Sequence, residues 1–274
     1  MIAAADITDA LVSLGVEPHD TLFVHSDLRR CLTVAGRSRE EKLDTIVGGI
    51  GDAVPAGTLI VPTFTYSLCE GETFDVERSP STVGALTEHF RLLPAVRRTP
   101  DPIFSVAVRG ELPEGWERRL FSVGDSDCFG AESVFAYLLE SRAKLLFFGV
   151  GFESCTFVYH VEQRLGVPYR YFKEFRGLVR TDSEVVPVAA RYFVRDLDGE
   201  VENDFAPLGR ALVEGGLAVT ASLPRGPELF LTDAPSVAAT AAERVEADPD
   251  FLIRRGDEDQ RAGSPALGRL SRST

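Results

Sequence analysis

Residues 144–162 read KLLFFGVGFESCTFVYHVE. Lys144 to Val150 is an apolar run of strand length, the pattern of a strand buried on both faces. Gly149 and Gly151 then turn the chain, and the segment delivers His160 and Glu162 two positions apart. Open α/β sheets place their ligand sites beyond the carboxyl ends of strands, so this turn locates a candidate site. A neutral imidazole oriented by a carboxylate is the commonest general base near pH 7. Residues i and i+2 share a face in extended chain but stand about 200° apart on a regular helix. A direct His160–Glu162 contact therefore requires an irregular entry into the next helix.

The strand-then-helix rhythm extends upstream. Ile7, Leu11, Val12 and Leu14 have helical spacing ended by Gly15, and Thr21 to His25 reads as a short buried strand. Leu43, Ile46, Val47 and Ile50 form a second helical stripe, and Thr58 to Val61 is the next strand. A loop rich in Thr, Ser, Pro and Gly runs from Pro62 to Thr82, a length usually reserved for function. Val83 to Leu93 reads as helix, Ile103 to Val108 as strand and Glu132 to Ser141 as helix. Downstream, Tyr169 to Phe175, Leu178 to Arg180 and Val185 to Arg195 read as antiparallel strands with Thr181 to Glu184 as a turn. A helix near Leu208–Val213, a strand at Leu217–Ala221 and a helix from Ser236 to about Glu246 follow, the last capped by Asp233 with Pro235 in its first turn. The expectation is an α/β fold, a layered sheet flanked by helices with an antiparallel β section in the second half. One domain should cover 1–254, and 255–274 should form a polar, flexible tail.

Hydrophobic residues make up 44% of the 274-residue chain, enough for a sizeable core. No apolar run has the length of a membrane span. The first residues, MIAAADITDALVSLG, lack the positive charge of a secretory signal, so a cytoplasmic location is expected. Cys31, Cys69, Cys128 and Cys155 lie far apart, which fits reduced thiols and speaks against a structural zinc site. A net charge of −13 disfavours nucleic acid as a partner and is compatible with a cationic substrate. A Gly-x-Ser-x-Gly elbow and a His-x-x-x-His metal spacing are both missing. Gly48-Gly49-Ile50-Gly51 sits inside a helical stripe without the Lys-Ser/Thr of a phosphate loop, and reads as close helix packing.

Several segments, in order, resemble the aminoglycoside 3-N-acetyltransferase family. They are Leu22 to Ser26 (LFVHS), Gly57 to Thr65 (GTLIVPTFT), Phe74-Asp75 with Ser79 to Gly84 (SPSTVG), Arg98 to Ser105 (RTPDPIFS), and Leu146 to Gly151 leading to Thr156 to Glu162 (TFVYHVE). The resemblance covers roughly residues 5–250. It implies the α/β fold of that family and transfer of an acetyl group from acetyl-coenzyme A to an amino sugar, with no metal. The chain departs from the family at Asp27, where a second Ser is usual. It departs again at Arg29-Arg30-Cys31, where small residues are usual, and at Asp101-Pro102, where His-Pro is typical. Val161 to Lys173 resembles the branch found in surface-polysaccharide and sugar-modifying pathways. These departures bear on the acceptor more than on the acyl chemistry.

On this resemblance His160 is the expected base, with Glu162 fixing its tautomer and His25 as a second catalytic group. Ser26, Leu28, Arg29, Arg30 and the backbone donors of that loop are expected at the cofactor, with hydroxyls from Thr63, Ser81 and Ser105. A satisfied core histidine and a solvated loop are the competing accounts of His25 and of residues 26–31. Asp75, Asp101, Tyr159 and Arg170 are expected at the sugar, although turn or cap roles account equally for the two aspartates. Arg164, Arg170, Lys173 and Arg176 form a basic cluster that favours a diphosphate, hence a nucleotide-linked amino sugar over a polycationic aminoglycoside. A non-catalytic acyl-coenzyme A- or sugar-binding protein that kept the fold is the alternative. The oligomeric state is left open, a homodimer included.

Overall fold

A computed structural model describes residues 1–31, 33–195 and 201–255. In chain order the elements are α1 (Ala4–Ser13), β1 (Thr21–Ser26), α2 (Arg39–Ala53), β2 (Thr58–Pro62), β3 (Phe74–Asp75), α3 (Ala85–Arg91), β4 (Arg97–Arg98) and β5 (Val106–Arg109). Next come α4 (Glu114–Phe121), β6 (Ser126–Asp127), α5 (Val134–Glu140), β7 (Lys144–Phe148) and α6 (Phe157–Leu165). The rest are β8 (Arg170–Arg180), β9 (Val185–Arg195), β10 (Val201–Asn203), α7 (Ala206–Glu214), β11 (Ala218–Ser222), β12 (Glu228–Asp233), α8 (Ala234–Ala247) and β13 (Ile253–Arg255). The expected tail lies outside the described residues apart from Arg255, the last residue of β13.

The main sheet has seven strands in the order β11-β12-β7-β1-β2-β5-β4. Its centre is parallel: β1 pairs with β2 on one side and β7 on the other. Antiparallel strands flank that centre, β12 beside β7 and β5 beside β2. Because side chains alternate along a strand, β1 splits its apolar residues between two cores. Leu22 and Val24 pack with α1, α2 and α3, whereas Phe23 joins Phe147, Phe135 and Phe157 on the side of α5 and α6. The layered α/β expectation therefore holds, and so does the antiparallel second half. β8 and β9 form a continuous hairpin of 11 residues each, flanked by β3 and β6.

Local signals fix several ends as the sequence leads one to expect. The Asp233 side chain accepts the Ser236 N–H at 2.8 Å and caps α8 with Pro235 in its first turn. Gly49 lets α1 and α2 close on each other, since a Cβ there would lie 2.6 Å from Ala4 O and 2.8 Å from Ile7 Cβ. Gly48, one residue earlier, has nothing within 4 Å of the same position. These neighbours should respond oppositely to a methyl group. Gly48→Ala should stabilise the fold by roughly 0.5–1 kcal/mol, as a helix-interior glycine does when replaced without strain. Gly49→Ala should cost about 1–3 kcal/mol by overpacking. Urea unfolding of both variants reads the difference, and equal effects would contradict the packing described.

Candidate active site

The chain moves from β1 to β2 on one side and later returns to β7 on the other, so the crevice above Ser26 and Phe148 is a topological switch point. The two strand ends lock there, with Asp27 N–H donating to Phe148 O at 3.0 Å. Gly149 follows at φ +69, and a Cβ on it would stand 2.6 Å from Asp27 O. Only glycine meets both demands.

Beside this point opens a cleft of about 960 Å³. Ser26, Asp27, Leu28 and Arg29 line it from β1, and Val150, Glu153 and Ser154 from the turn after β7. Arg37, Arg39 and Lys42 line it from the start of α2, and Val83 and Gly84 from the start of α3. Cations gather here in a chain of net charge −13. The sequence signal for Arg37, Arg39 and Lys42 is their position at a helix amino end, where the helix dipole disfavours cations. The backbone contributes less than expected from residues 26–31. The amides of Asp27, Arg29 and Cys31 are taken by Phe148 O, the Asp27 carboxylate and Leu28 O. Arg29 also pairs with Asp27 through its side chain. Arg30 ends the 3-10 turn from Leu28, and its side chain lies outside the described part. Cys31 also faces the cleft, but burial and the Asp27 carboxylate push its thiol up to about 11.

His25 lies below the cleft on the opposite face of β1. Its ring stacks on Phe147 with centroids 4.7 Å apart and meets the edge of Phe23. Nε2 accepts the Thr156 N–H at 3.3 Å and stands 3.1 Å from the Thr156 hydroxyl. Burial lowers its pKa to about 3, so the ring is neutral. His25 thus tethers the amino end of α6 to the sheet.

His160 and Glu162 do not meet. Both are on regular helix α6, where they point to different sides. The partner of His160 Nδ1 is Phe129 O, at 2.8 Å. That carbonyl fixes the tautomer in place of a carboxylate, leaving the Nε2 lone pair unshared. Burial lowers the His160 pKa, and the hydrogen bond to Phe129 O opposes that shift. The cavity His160 lines, about 450 Å³ between α5 and α6 with Glu140, Gln163 and Arg164, shares no lining residue with the cleft.

Glu162 is fully buried and faces Arg170 Nη2 at 2.8 Å, with the Tyr169 hydroxyl donating to its other oxygen at 3.0 Å. Burial pushes the carboxyl up in pKa, while Arg170 and Tyr169 oppose that rise. Arg170 also donates to Asn203 Oδ1 at 2.8 Å and sits 4.7 Å above the Tyr159 ring. The expectation of Arg170 at the substrate is therefore corrected: its charge is answered inside the protein. Of the other cations in the basic cluster, Arg176 pairs with Glu174 at the surface, Lys173 lies over the Phe175 ring and Arg164 lines the α5–α6 cavity.

Other expected ligands serve the long loop. Thr63 and Ser105 are fully buried, and Arg98 Nε lies 3.2 Å from each hydroxyl. Arg98 also donates to the carbonyls of Thr63, Val76 and Ser79, so this one cation holds the loop on the sheet. The Ser81 hydroxyl meets Thr87 Oγ1 at 2.7 Å at the start of α3. Asp75 accepts the amides of Glu77 and Arg78, a turn role. Asp101 accepts the amides of Ile103 and Phe104 and lines a cavity of about 190 Å³ with Asp125, Asp127 and Glu132. Tyr159 stays half-buried in a group with Tyr66 and Tyr192. Burial raises the pKa of Tyr66 and Tyr192, and Tyr159 nearby raises both further. Tyr66 itself adopts a left-handed backbone at φ 56.

Among the described residues no cluster of His, Cys, Asp or Glu is arranged to hold a metal ion. Nor is any helix among them long and apolar enough to cross a membrane.

Known proteins resemble this chain in sequence and in fold. The family model for aminoglycoside 3-N-acetyltransferase matches residues 23–246. An aminoglycoside N(3)-acetyltransferase IV from Salmonella sp is 31% identical over 169 residues, a stretch spanning 60% of each chain. The crystal structure of aminoglycoside acetyltransferase AAC(3)-IVa, a histidine-to-alanine mutant in complex with a gentamicin, superposes with TM-score 0.71 at 26% identity. That match covers 92% of this chain and 91% of the other. AAC-IIIb bound to coenzyme A shares the fold with TM-score 0.75 at 21% identity, covering 89% of this chain and 96% of that one.

Two of these contacts set stability. Replacing Arg170 by Met strands a buried carboxylate and should cost about 3–5 kcal/mol, whereas Glu162→Leu/Arg170→Met together should cost clearly less. Chemical denaturation of the single and double variants checks this, and an additive double loss would contradict it. The second contact is His25. Its folded pKa, about 3, lies below its ordinary 6.5, so the unfolded chain takes up a proton that the fold refuses. Stability should therefore decline as pH falls from about 6.5 toward 3, by roughly 1.4 kcal/mol per pH unit at most. Urea unfolding between pH 7 and 5 should show a shallower decline for His25→Phe. An unchanged slope would remove His25 as its source.

Proposed function

The chain belongs to the aminoglycoside 3-N-acetyltransferase family, and on that premise we propose that it transfers an acetyl group from acetyl-coenzyme A to an amino group of an aminoglycoside-type amino sugar. The observation that carries the donor assignment is the cationic cleft at the sheet's switch point. Coenzyme A is an extended polyanion, and Arg29, Arg37, Arg39 and Lys42 line a cleft of about 960 Å³ in an otherwise acidic protein. Ser26 and Leu28 belong to the same wall.

Direct attack in a ternary complex fits the site. The thiol facing the cleft, Cys31, is held up at about 11 and is protonated near pH 7, which makes it a poor acyl carrier. The free amine would attack the thioester carbon, and coenzyme A would leave as the thiolate. His160 has the neutral state and fixed tautomer of a base, but its separate cavity supports a packing role between α5 and α6 better than proton abstraction at the cleft. An aminoglycoside-type acceptor is favoured over a nucleotide sugar because Arg170, expected to clamp a diphosphate, is buried against Glu162, and Arg164 lines the α5–α6 cavity away from the cleft.

The test is thiol release from acetyl-coenzyme A with gentamicin, apramycin and a uridine-diphosphate amino sugar as acceptors. The aminoglycosides should show the higher kcat/KM. Arg37→Ala/Arg39→Ala should raise KM for acetyl-coenzyme A roughly 10-fold, the scale of a lost charge-assisted contact, with acceptor KM little changed. The effect should shrink at high salt. Binding of acetyl-coenzyme A without turnover on any acceptor would instead support a non-catalytic binding protein.

A further inference from the structure

We propose that Tyr159, and not His160, is the α6 residue that touches the reacting atoms, its hydroxyl donating the hydrogen bond that holds the oxyanion formed on the thioester carbonyl. This rests on the acetyl-transfer reading above.

The polarity of a buried chain of contacts carries the inference. A guanidinium has donors only, so Arg170 fixes Asn203 Oδ1 as its acceptor at 2.8 Å. The amide of Asn203 is thereby oriented, and its NH2 group faces Tyr159 Oη at 3.0 Å. An NH2 group can only donate. The phenolic oxygen is thus an acceptor toward Asn203, and its own proton must point elsewhere. Tyr159 is half-buried, and its ring is held against Phe129 and Phe205 at centroid distances of 5.4 and 5.6 Å. The result is an oriented hydroxyl donor on a rigid helix.

Two segments of the cleft wall run on in the chain to the group of rings around Tyr159. Ser154 lies in one wall, and the chain from it enters α6 directly. Val83 and Gly84 lie in the other, and the preceding Thr82 donates its N–H to Phe64 O at 3.0 Å, two residues before Tyr66. Tyr66 and Tyr192 pack on Phe104 with centroids 5.6 and 5.0 Å away, in the same group as Tyr159.

In the step proposed, the amine lone pair forms the C–N bond and the carbonyl π pair moves to oxygen. That pair then returns, the C–S bond breaks, and its electrons leave on sulfur. The proton shed by the attacking nitrogen passes to the thiolate or to water, and Tyr159 keeps its own proton throughout.

Tyr159→Phe removes the hydroxyl and retains the ring contacts. It should lower kcat by roughly 10²–10³-fold, the scale of one lost oxyanion donor, with KM for acetyl-coenzyme A within about twofold of wild type. Asn203→Leu, which frees the hydroxyl to rotate, should lower kcat by a smaller factor with KM unchanged. His160→Gln should keep kcat within about threefold. A Tyr159→Phe enzyme within threefold of wild-type kcat overturns the inference while the acetyl-transfer reading stands. So does a hundredfold loss in His160→Gln, which would return the chemistry to the α5–α6 cavity. A wild-type protein with no turnover overturns the acetyl-transfer reading and this inference together.

Discussion

The ion pair of Glu162 with Arg170 fixes the corner between the consecutive elements α6 and β8, and the same guanidinium binds Asn203 of β10, 33 positions further on. Both side chains are almost completely buried, at 0% and 2% exposure. A pair in that position gains little net stability over apolar residues, because both charges have left water. Its value lies in direction. Arg170 can satisfy Glu162 only when the amino end of β8 lies against α6, and Asn203 brings β10 to the same guanidinium. Tyr169 closes the remaining side of the carboxylate. The pair therefore sets the orientation of α6, hence where Thr156 meets His25 and where Tyr159 stands.

A second buried cation is handled differently. Arg98 donates to carbonyl and hydroxyl oxygens of Thr63, Val76, Ser79 and Ser105, and its flat face lies over the Phe74 ring. Burial lowers its pKa to about 10, which leaves it charged near pH 7. One cation orients α6, and another fixes the long loop that leads into α3, whose start lines the facing wall of the cleft. Arg37 and Arg39 in the cleft, by contrast, are exposed at its surface, where a phosphate-bearing ligand can reach them. The division between internal and ligand-facing positive charge turns an acidic protein into one suited to bind coenzyme A.

Periodic elements were legible in the sequence: the buried strand before Gly149, the stripe of α2, the β8–β9 hairpin, and α8 with its Asp233 cap. β3, β4 and β6 have two residues each, too few for alternation to register. β12 is flanked by turn residues at 224–227, and α4 is a short, charge-rich helix with Gly115 inside it, which obscured both. In the site, the loop after β1 was legible because a strand end and polar residues coincide there. The roles of Thr63, Ser105 and Arg170 were not. Hydroxyls in a long loop look like ligands until Arg98 is known to bond Thr63 across 35 positions. A row of basic residues looks like a diphosphate clamp until Glu162 is found beneath one of them. His160 and Glu162 look like a dyad in extended chain, but helix α6 turns them to different sides.

A crystal structure with bound coenzyme A tests the central claim most directly, since it shows where the donor lies without relying on turnover. The account predicts the pyrophosphate against Ser26 to Arg29, the nucleotide end beside Arg37, Arg39 and Lys42, and the thiol directed past Ser154 toward Tyr66 and Tyr159. Coenzyme A bound with its thiol in the α5–α6 cavity beside His160, or bound away from the β1–β7 switch point, would contradict it.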